Sequence, residues 1–203
     1  MNTHEAFARL RRLGIPVIET ADAAAALGQT TAAASQTLTR LARVGLVTSV
    51  RHGTWWVDGD VEALRLPEFL TAPFPSYVSL HTALHRRGLI EQIPEVVYAV
   101  SLARTQRITT SAGTISLHHL APEVFGGFEE TETGIKLATA EKALFDFAYL
   151  SGGRSRLFTT LPELELPRDF RRRELSRWMD KIPSDRSRTL TERKLESFLS
   201  RAS

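Results

Sequence analysis

The order of elements in the first part of the chain constrains its fold more than any other sequence feature. Apolar residues recur at helical spacing, and glycines end the periodic stretches. Helices are predicted over 2–13, 21–27 and 31–44, and strands over 46–51 and 54–57. The two strands are joined by His52 and Gly53, a two-residue turn with glycine where a positive φ is favoured. A compact domain of three helices and a hairpin is therefore expected.

Three helices followed by a β-hairpin is the order found in a winged helix-turn-helix domain. We predict such a domain over residues 1–66. Thr20 and Thr30 are predicted to cap the second and third helices, because threonine oxygens accept hydrogen bonds from free N–H groups at helix starts. Gly28 ends the second helix and opens the tight turn between the two.

The third predicted helix has two contrasting faces. Ala34, Leu38 and Leu41 fall on one stripe, which we expect to face the core. The opposite face presents Ala32, Gln36, Thr39, Arg40 and Arg43. Glutamine pairs with an adenine edge, and arginine reaches guanine or phosphate. This face is the predicted recognition surface for the major groove of double-stranded DNA.

Four further residues are predicted to bind DNA. Thr30 and Thr31 lie at the start of the third helix, where hydroxyl and backbone N–H groups hold phosphate. Arg51 and His52 lie at the hairpin tip, which would touch the phosphate backbone or the minor groove. Two alternatives remain open: these residues are ordinary solvated side chains, or the winged domain binds protein instead of DNA.

The charge distribution is compatible with a polyanionic partner. The formal net charge is only +3, but no acidic residue occurs between Asp22 and Asp58. Phosphates sense the charge of the docked face more than that of the whole chain. A second basic run contains Arg168, Arg171, Arg172 and Arg173. This run would extend the DNA contact or meet an acidic patch on a partner, and the alternative is a solvated helix face.

Trp56 alternates with Trp55 along the second strand of the hairpin. If Trp55 fills the core, Trp56 points outward and becomes a candidate contact for a partner or for DNA. The alternative is that Trp56 packs against the linker or the second domain.

The remainder of the chain predicts a second domain over residues 76–203. Pro67, Pro73 and Pro75 indicate a linker over 67–75. Helices are predicted over 76–87, from Thr139 to about Leu150, and over 168–181 and 189–201. Strands are predicted over 96–102, over 107–120 with a break at 111–113, and over 135–138. The predicted fold class is α+β: a winged helix-turn-helix, then a mixed α/β domain with a helical C-terminal tail.

Three segments of the second domain resemble the AbiEi family of antitoxins. They are residues 77–84 (YVSLHTAL) followed by 88–90 (GLI), residues 123–128 (EVFGGF) and residues 138–146 (ATAEKALFD). In order and spacing the resemblance covers most of residues 1–150, whereas the arginine-rich tail matches loosely. The chain has Ala140 where the family usually has proline, and alanine also suits a first helical turn.

The resemblance implies an antitoxin of a type IV toxin–antitoxin system. Such a protein represses its own operon through the winged domain, and its second domain counteracts a nucleotidyltransferase-like toxin encoded beside it. Operator DNA would carry repeated or inverted half-sites, bound by a homodimer or by two adjacent monomers. Glu141, Lys142 and Asp146 are expected to be structural, with Glu141 at a helix start and the other two paired at i,i+4.

Other chemistry is not indicated by the sequence. The chain has no cysteine, no apolar run near the roughly 20 residues of a membrane span and no N-terminal apolar signal core, so we predict a cytoplasmic protein. His81 and His85 lie one helical turn apart without a third metal ligand. His118 and His119 should face opposite sides of a strand, and the loop 151–154 lacks a phosphate-loop lysine.

We therefore predict no enzyme, no cofactor and no metal site. The alternative function is a winged-helix interaction module, or a transcriptional regulator without a toxin partner. A third alternative is an enzyme that acts on a nucleotide or on the toxin, which turnover or magnesium-dependent nucleotide binding by the purified chain would support.

Overall fold

The computed structural model describes residues 2–152, residue 161 and residues 163–202. The chain divides into two compact units. Unit 1 comprises Met1–Ala63 with Thr109–Gly113, and unit 2 comprises Leu64–Ile108 with Thr114–Ser203. Helices and two separate sheets are present among the described residues, which confirms the predicted α+β class.

Unit 1 begins with three helices whose ends follow local signals in the sequence. They are α1 (Thr3–Arg11), α2 (Thr20–Leu27) and α3 (Thr31–Arg43). Thr30 caps α3 as predicted, since its hydroxyl accepts a hydrogen bond from the backbone N–H of Ala33 at 3.3 Å. Gly28 ends α2 in the left-handed region, with φ of +64°.

The predicted cap of α2 is wrong by one residue. Glu19 is the N-cap, and its backbone N–H donates to the Asp22 carboxylate at 2.9 Å in a capping box. The Thr20 hydroxyl instead donates to the carbonyl of Gly53 at 3.1 Å and accepts from Nε1 of Trp55 at 3.0 Å. Thr20 therefore joins the start of α2 to the hairpin turn.

A three-stranded sheet completes unit 1. Its order is β1 (Val17–Glu19), β3 (Thr54–Trp56), β2 (Thr48–Arg51), with β3 antiparallel to both neighbours. The hairpin was predicted, and β1 adds a third strand directly after Pro16. The unit's core is built from α1, α2, α3 and the sheet, and it includes Leu10, Ile18, Leu27, Leu38, Leu41 and Trp55.

Unit 2 contains a mixed six-stranded sheet in the order β6-β7-β5-β4-β9-β8. Its strands are β4 (Ser76–Val78), β5 (Val97–Ser101), β6 (Gln106–Thr110), β7 (Gly113–His119), β8 (Phe128–Glu130) and β9 (Lys136–Ala138). The pairs β4–β9 and β5–β7 are parallel, and the pairs β4–β5 and β8–β9 are antiparallel.

The helices of unit 2 are organised around one buried helix. They are α4 (Leu66–Leu70), α5 (Leu80–Arg86), α6 (Ala140–Ser151), α7 (Arg172–Met179) and α8 (Asp185–Leu199). Helix α6 packs against α5, α7 and α8, and its residues from Glu141 to Ala148 are all buried. Three of these buried residues, Glu141, Lys142 and Asp146, are charged, so they need polar partners inside the protein.

Two sequence predictions for this part of the chain need correction. The helix predicted over 76–87 is strand β4 followed by α5, because Tyr77 and Val78 pair with β5 and Val78 also pairs with Leu137 of β9. Part of the predicted linker 67–75 is helix α4, in which Pro67 occupies the first turn, a position that tolerates proline.

Two further expectations concern the loop 151–154 and membrane-spanning segments. Of the loop 151–154, Gly153 and Arg154 lie outside the described residues. Among the helices of the described part of the chain, each is too short or too polar to cross a bilayer.

Candidate nucleic-acid interface

Helix α3 carries a buried edge and an exposed edge, as its sequence pattern predicted. Ala34, Leu38 and Leu41 are at most 1% exposed and belong to the core of unit 1. The residues on the opposite edge are exposed: Ala32, Ser35, Gln36, Thr39, Arg40 and Arg43. The side chains at the N-terminal end of this edge are small, so the backbone of α3 is accessible to a large ligand there.

The start of α3 has two threonines, of which only Thr30 caps the helix. Thr30 and Thr31 are both exposed. The hydroxyl of Thr30 satisfies the N–H of Ala33, while the remaining N–H groups of the first turn are the donors a helix leaves for an anion.

The tip of the hairpin is held in place by α2. Arg51 and His52 are exposed, and Gly53 has φ of +79°, which suits glycine. The Gly53 carbonyl accepts hydrogen bonds from both the N–H and the hydroxyl of Thr20, at 2.8 and 3.1 Å. The turn that carries Arg51 and His52 is therefore anchored at its glycine.

The arginines of this surface differ from other arginines of unit 1 in their partners. Arg9 pairs with Glu5 at 2.9 Å, and Arg11 pairs with Asp58 at 2.8 Å. Among the described residues, Arg40, Arg43 and Arg51 form no ion pair. None of these three guanidinium groups contacts a carboxylate directly among the described residues, and Glu19 reaches Arg51 only through the Thr54 hydroxyl, so the positive charge remains available to an anionic ligand.

Of the two alternatives for Trp56, the exposed contact expected from strand alternation is wrong. Both Trp55 and Trp56 are buried, and Trp56 is 0% exposed with its Nε1 donating to the carbonyl of Asp58 at 2.9 Å. The prediction failed because β3 is the central strand of its sheet and is buried on both faces. Alternation along a strand reports exposure only where one face meets solvent.

The basic run near the C-terminus is exposed but partly neutralised. Arg168, Arg171, Arg172 and Arg173 are all exposed. Glu174 lies 3.8 Å from Arg173 and 2.9 Å from Arg177. The backbone N–H of Arg171 donates to Glu141 at 2.8 Å, which places this residue at the start of α7. The run contains less free positive charge than its arginine count suggests.

A buried polar cluster occupies the centre of unit 2. Lys142 and Asp146 form an ion pair one turn apart on α6, as their spacing predicted, and both side chains are 0% exposed. Asp146 also accepts hydrogen bonds from the hydroxyls of Tyr77 at 3.0 Å and Ser79 at 2.7 Å. Burial lowers the pKa of Lys142 and raises that of Asp146, and the opposite charge of each partner counteracts these shifts.

Aromatic rings surround the lysine of this cluster. The Lys142 ammonium lies 4.5 Å from the ring centroid of Trp178 and 4.9 Å from that of Phe145. Tyr77 stacks on Phe128 at 4.9 Å and meets Phe125 edge-on at 5.0 Å. Cation–π attraction supplies part of the solvation that the ammonium loses on burial.

The cluster joins three segments that are far apart in the sequence. These are residues 77–84, 123–128 and 138–146, the same segments that resemble AbiEi antitoxins. Each contributes side chains to one hydrophobic core. Tyr77, Ser79, Lys142 and Asp146 bind one another inside the protein, and Phe125 and Phe128 pack against Tyr77, so these segments have a structural role, as expected.

Two histidines of unit 2 are largely removed from solvent. His81 is half-buried, with its ring 4.9 Å from those of Tyr98 and Phe147. His118 and His119 face opposite sides of β7 as predicted. Burial, with a smaller contribution from His81, lowers the pKa of His118 to about 4. Within the described ranges, no three His, Asp or Glu side chains are grouped to hold a metal ion.

The sequence reasoning missed four residues beside the predicted DNA surface. Thr37 and Thr54 hydrogen-bond to Arg40 and Arg51, and Gln29 and Glu19 bond in turn to the threonines. Thr37 offered one signal, since it is a polar residue on the apolar side of α3. A polar group buried within a core edge requires a hydrogen-bond partner.

Comparison with known proteins assigns no family to this chain. A scan against protein-family models found no match. A search of curated proteins also found no match. The geometry of the two units and the resemblance of the three segments are therefore the basis for a functional proposal.

Proposed function

We propose that this chain is a DNA-binding antitoxin of the AbiEi kind, which represses its own operon and counteracts a nucleotidyltransferase-like toxin. Unit 1 acts as a winged helix-turn-helix: α2 and α3 form the helix-turn-helix, and the β2–β3 hairpin is the wing. The observation that carries the proposal is the exposed edge of α3, which lies opposite a fully buried apolar edge.

In this proposal α3 enters the major groove of double-stranded DNA. Its exposed Gln36 pairs with adenine, and Arg40 pairs with guanine or phosphate. Arg51 and His52, at the anchored turn of the wing, contact the backbone or the minor groove. The lack of ion pairs at Arg40 and Arg51 among the described residues favours this role, because neither side chain must break a salt bridge in order to bind.

Unit 2 is proposed to contact the toxin. Support comes from the three AbiEi-like segments, which form a single packed core around Lys142 and Asp146. A rigid core of this kind presents a fixed surface to a partner protein, which lowers the cost of binding. The exposed arginines around the start of α7 are candidates for contact with an acidic patch on the toxin or with DNA.

DNA binding is tested by fluorescence anisotropy with the DNA immediately upstream of the chain's reading frame and with a scrambled duplex. Wild-type protein should prefer the upstream DNA, and its affinity should fall linearly in a log–log plot against salt concentration. Gln36→Ala and Arg40→Ala should reduce this preference, each by a factor of about 5–100 for a lost base contact. Arg51→Ala should weaken binding to both duplexes equally.

Arg9→Ala is the matched control for these variants. It removes an exposed arginine of unit 1 that is paired with Glu5 on α1, so binding should not change. Salt-insensitive binding, or equal binding by wild type and all variants, would refute DNA recognition by α3. If wild-type protein does prefer the upstream DNA, a gel-shift titration on that DNA gives the number of copies bound, because each further copy produces a further shifted band.

The toxin contact is tested by co-expression with the adjacent reading frame. Co-purification and rescue of growth by the full chain are the expected results. Rescue that persists without any salt-dependent DNA binding would identify a pure interaction module. DNA binding without rescue or co-purification would identify a regulator without a toxin partner.

A further inference from the structure

We propose that Thr37 and Thr54 are positioning residues that hold Arg40 and Arg51 ready to bind DNA. Each threonine hydroxyl connects one arginine of the proposed interface to an acceptor on another element of unit 1. We call these two chains of hydrogen bonds the arginine–threonine relays. The inference rests on the proposed DNA-binding function and adds residues that do not themselves touch DNA.

The first relay connects α3 to the turn that precedes it. Arg40 Nη2 donates to the Thr37 hydroxyl at 3.1 Å, and that hydroxyl donates to Gln29 Oε1 at 3.1 Å. Thr37 is buried while Arg40 is exposed. The relay therefore runs from a core position on α3 to the surface that faces the proposed ligand.

The second relay has the same chemistry in the wing. Arg51 Nε donates to the Thr54 hydroxyl at 3.1 Å, and that hydroxyl donates to Glu19 Oε1 at 2.9 Å. Thr54 is buried, whereas Arg51 is exposed. Glu19 is also the N-cap of α2, so this relay ties the wing to the helix-turn-helix.

The order of donors and acceptors explains why a threonine suits the middle position. A hydroxyl has one hydrogen to donate and lone pairs with which to accept. Because that hydrogen points to Gln29 or Glu19, a lone pair is left to accept from the guanidinium. Arginine has five N–H donors, so one bond to threonine leaves four for phosphate or a base.

The benefit of the relays is pre-organisation. A free arginine side chain loses rotamer freedom when DNA fixes it, and this loss weakens binding. A guanidinium that is already directed by a buried hydroxyl has less freedom to lose. The second relay ends on a carboxylate, which forms the stronger kind of hydrogen bond.

The test uses duplexes selected by wild-type protein from a pool of random 20-base-pair sequences. Thr37→Val keeps the shape of the side chain and removes the hydroxyl, and Thr37→Ser keeps the hydroxyl. We expect Thr37→Val to weaken binding about three- to tenfold, the cost of ordering one long side chain. Thr37→Ser should bind within about twofold of wild type, because the serine hydroxyl still orders the arginine side chain.

A double-mutant cycle separates positioning of Arg40 from general packing. Thr37→Val should have no further effect in an Arg40→Ala background, because its only route to DNA has been removed. The slope of affinity against salt should stay at the wild-type value in Thr37→Val, since no charge changes. It should fall by about one in Arg40→Ala if Arg40 meets phosphate. Thr54→Val and Arg51→Ala form the equivalent cycle for the wing.

Gln29→Met removes the acceptor of the Thr37 hydroxyl while leaving Thr37 itself unchanged. This variant should weaken DNA binding, as Thr37→Val does. Additive losses in both cycles would overturn the inference, because they would show that the threonines act without the arginines. Failure of wild-type protein to select any duplex would instead overturn the proposed function, and the inference with it. Selection by wild type with additive cycles would leave DNA binding standing and reject the relays alone.

Discussion

Gly127 lies so close to the Trp178 ring that a Cβ at this position would stand 2.6 Å from Cζ2 of the indole. The same Cβ would lie 2.9 Å from Cγ of Lys142. Its backbone φ of +74° also favours glycine. One missing methyl group therefore allows the segment 123–128 to pack against both α6 and α7.

Gly127→Ala should lower the free energy of unfolding by about 2–5 kcal/mol, combining strain at positive φ with overpacking. Gly134→Ala is the control, because Gly134 has a similar φ of +77° but a Cβ there would lie 3.9 Å from its nearest neighbour, Glu130 Oε1. That variant should cost only about 1–2 kcal/mol. Urea denaturation measures both, and equal losses would show that the indole and the lysine stem move aside freely.

Lys142→Met should destabilise the protein by about 3–5 kcal/mol, because Asp146 would remain buried without its countercharge. Lys136→Met removes a lysine from a partly exposed pair with Glu68 and should cost less than about 1 kcal/mol. Both losses can be measured by urea denaturation at pH 7. A cost for Lys142→Met no greater than that for Lys136→Met would contradict the tight coupling of this pair.

Acid should destabilise the protein through His118. The folded state keeps this imidazole neutral until its pKa of about 4, whereas an unfolded histidine takes up a proton near pH 6.5. The free energy of unfolding should therefore fall by roughly 3 kcal/mol as pH drops from about 6.5 to 4, and this contribution should level off below pH 4.

His118→Gln should flatten this part of the pH profile, since glutamine does not titrate and can still hydrogen-bond to Ser116, which lies 2.9 Å from the imidazole. His119→Gln makes the same substitution at the neighbouring, exposed position of β7 and is the matched control for it. A profile that is the same in wild type and His118→Gln would assign the acid sensitivity to other groups.

The orientation of α3 predicts opposite outcomes for two neighbouring positions. Leu38→Ala should cost about 2–5 kcal/mol of stability, because the side chain is 0% exposed in the core of unit 1. Gln36→Ala should change stability by less than about 0.5 kcal/mol, because its side chain is exposed. Thermal and urea unfolding provide the comparison. A larger loss for Gln36→Ala would place the proposed DNA-binding edge inside the protein.

Local signals explain the success of prediction in unit 1. Thr30 begins α3, Gly28 ends α2, and His52 with Gly53 forms the turn of the hairpin. The faces of α3 follow from its apolar spacing in the same way. These features depend on hydrogen bonds and sterics between residues a few positions apart, which an amino-acid sequence displays directly.

Strand β4 was not predicted, because local signals do not determine its structure. The sequence favoured a helix over 76–87, yet Tyr77 pairs with Val100, and Val78 pairs with both Ala99 and Leu137. A central strand is stabilised by neighbours that are distant in the chain, and its pattern is that of any buried apolar segment. Trp56 was misplaced for the same reason, since burial on both faces of β3 removes the alternation.

The sequence by itself determined the α+β class, the ends of α1, α2, α3 and α6 to within about two residues, the two edges of α3 and the pairing of Lys142 with Asp146. The tertiary structure decided how deeply that pair is buried. It also brought the hydroxyls of Tyr77 and Ser79 within hydrogen-bond distance of Asp146, and it placed buried threonines beside Arg40 and Arg51. The physical reason is the distance along the sequence over which each interaction acts. Helical periodicity, helix caps and i,i+4 pairs involve residues only a few positions apart. Burial and the hydrogen bonds it demands depend on which distant segments are brought together.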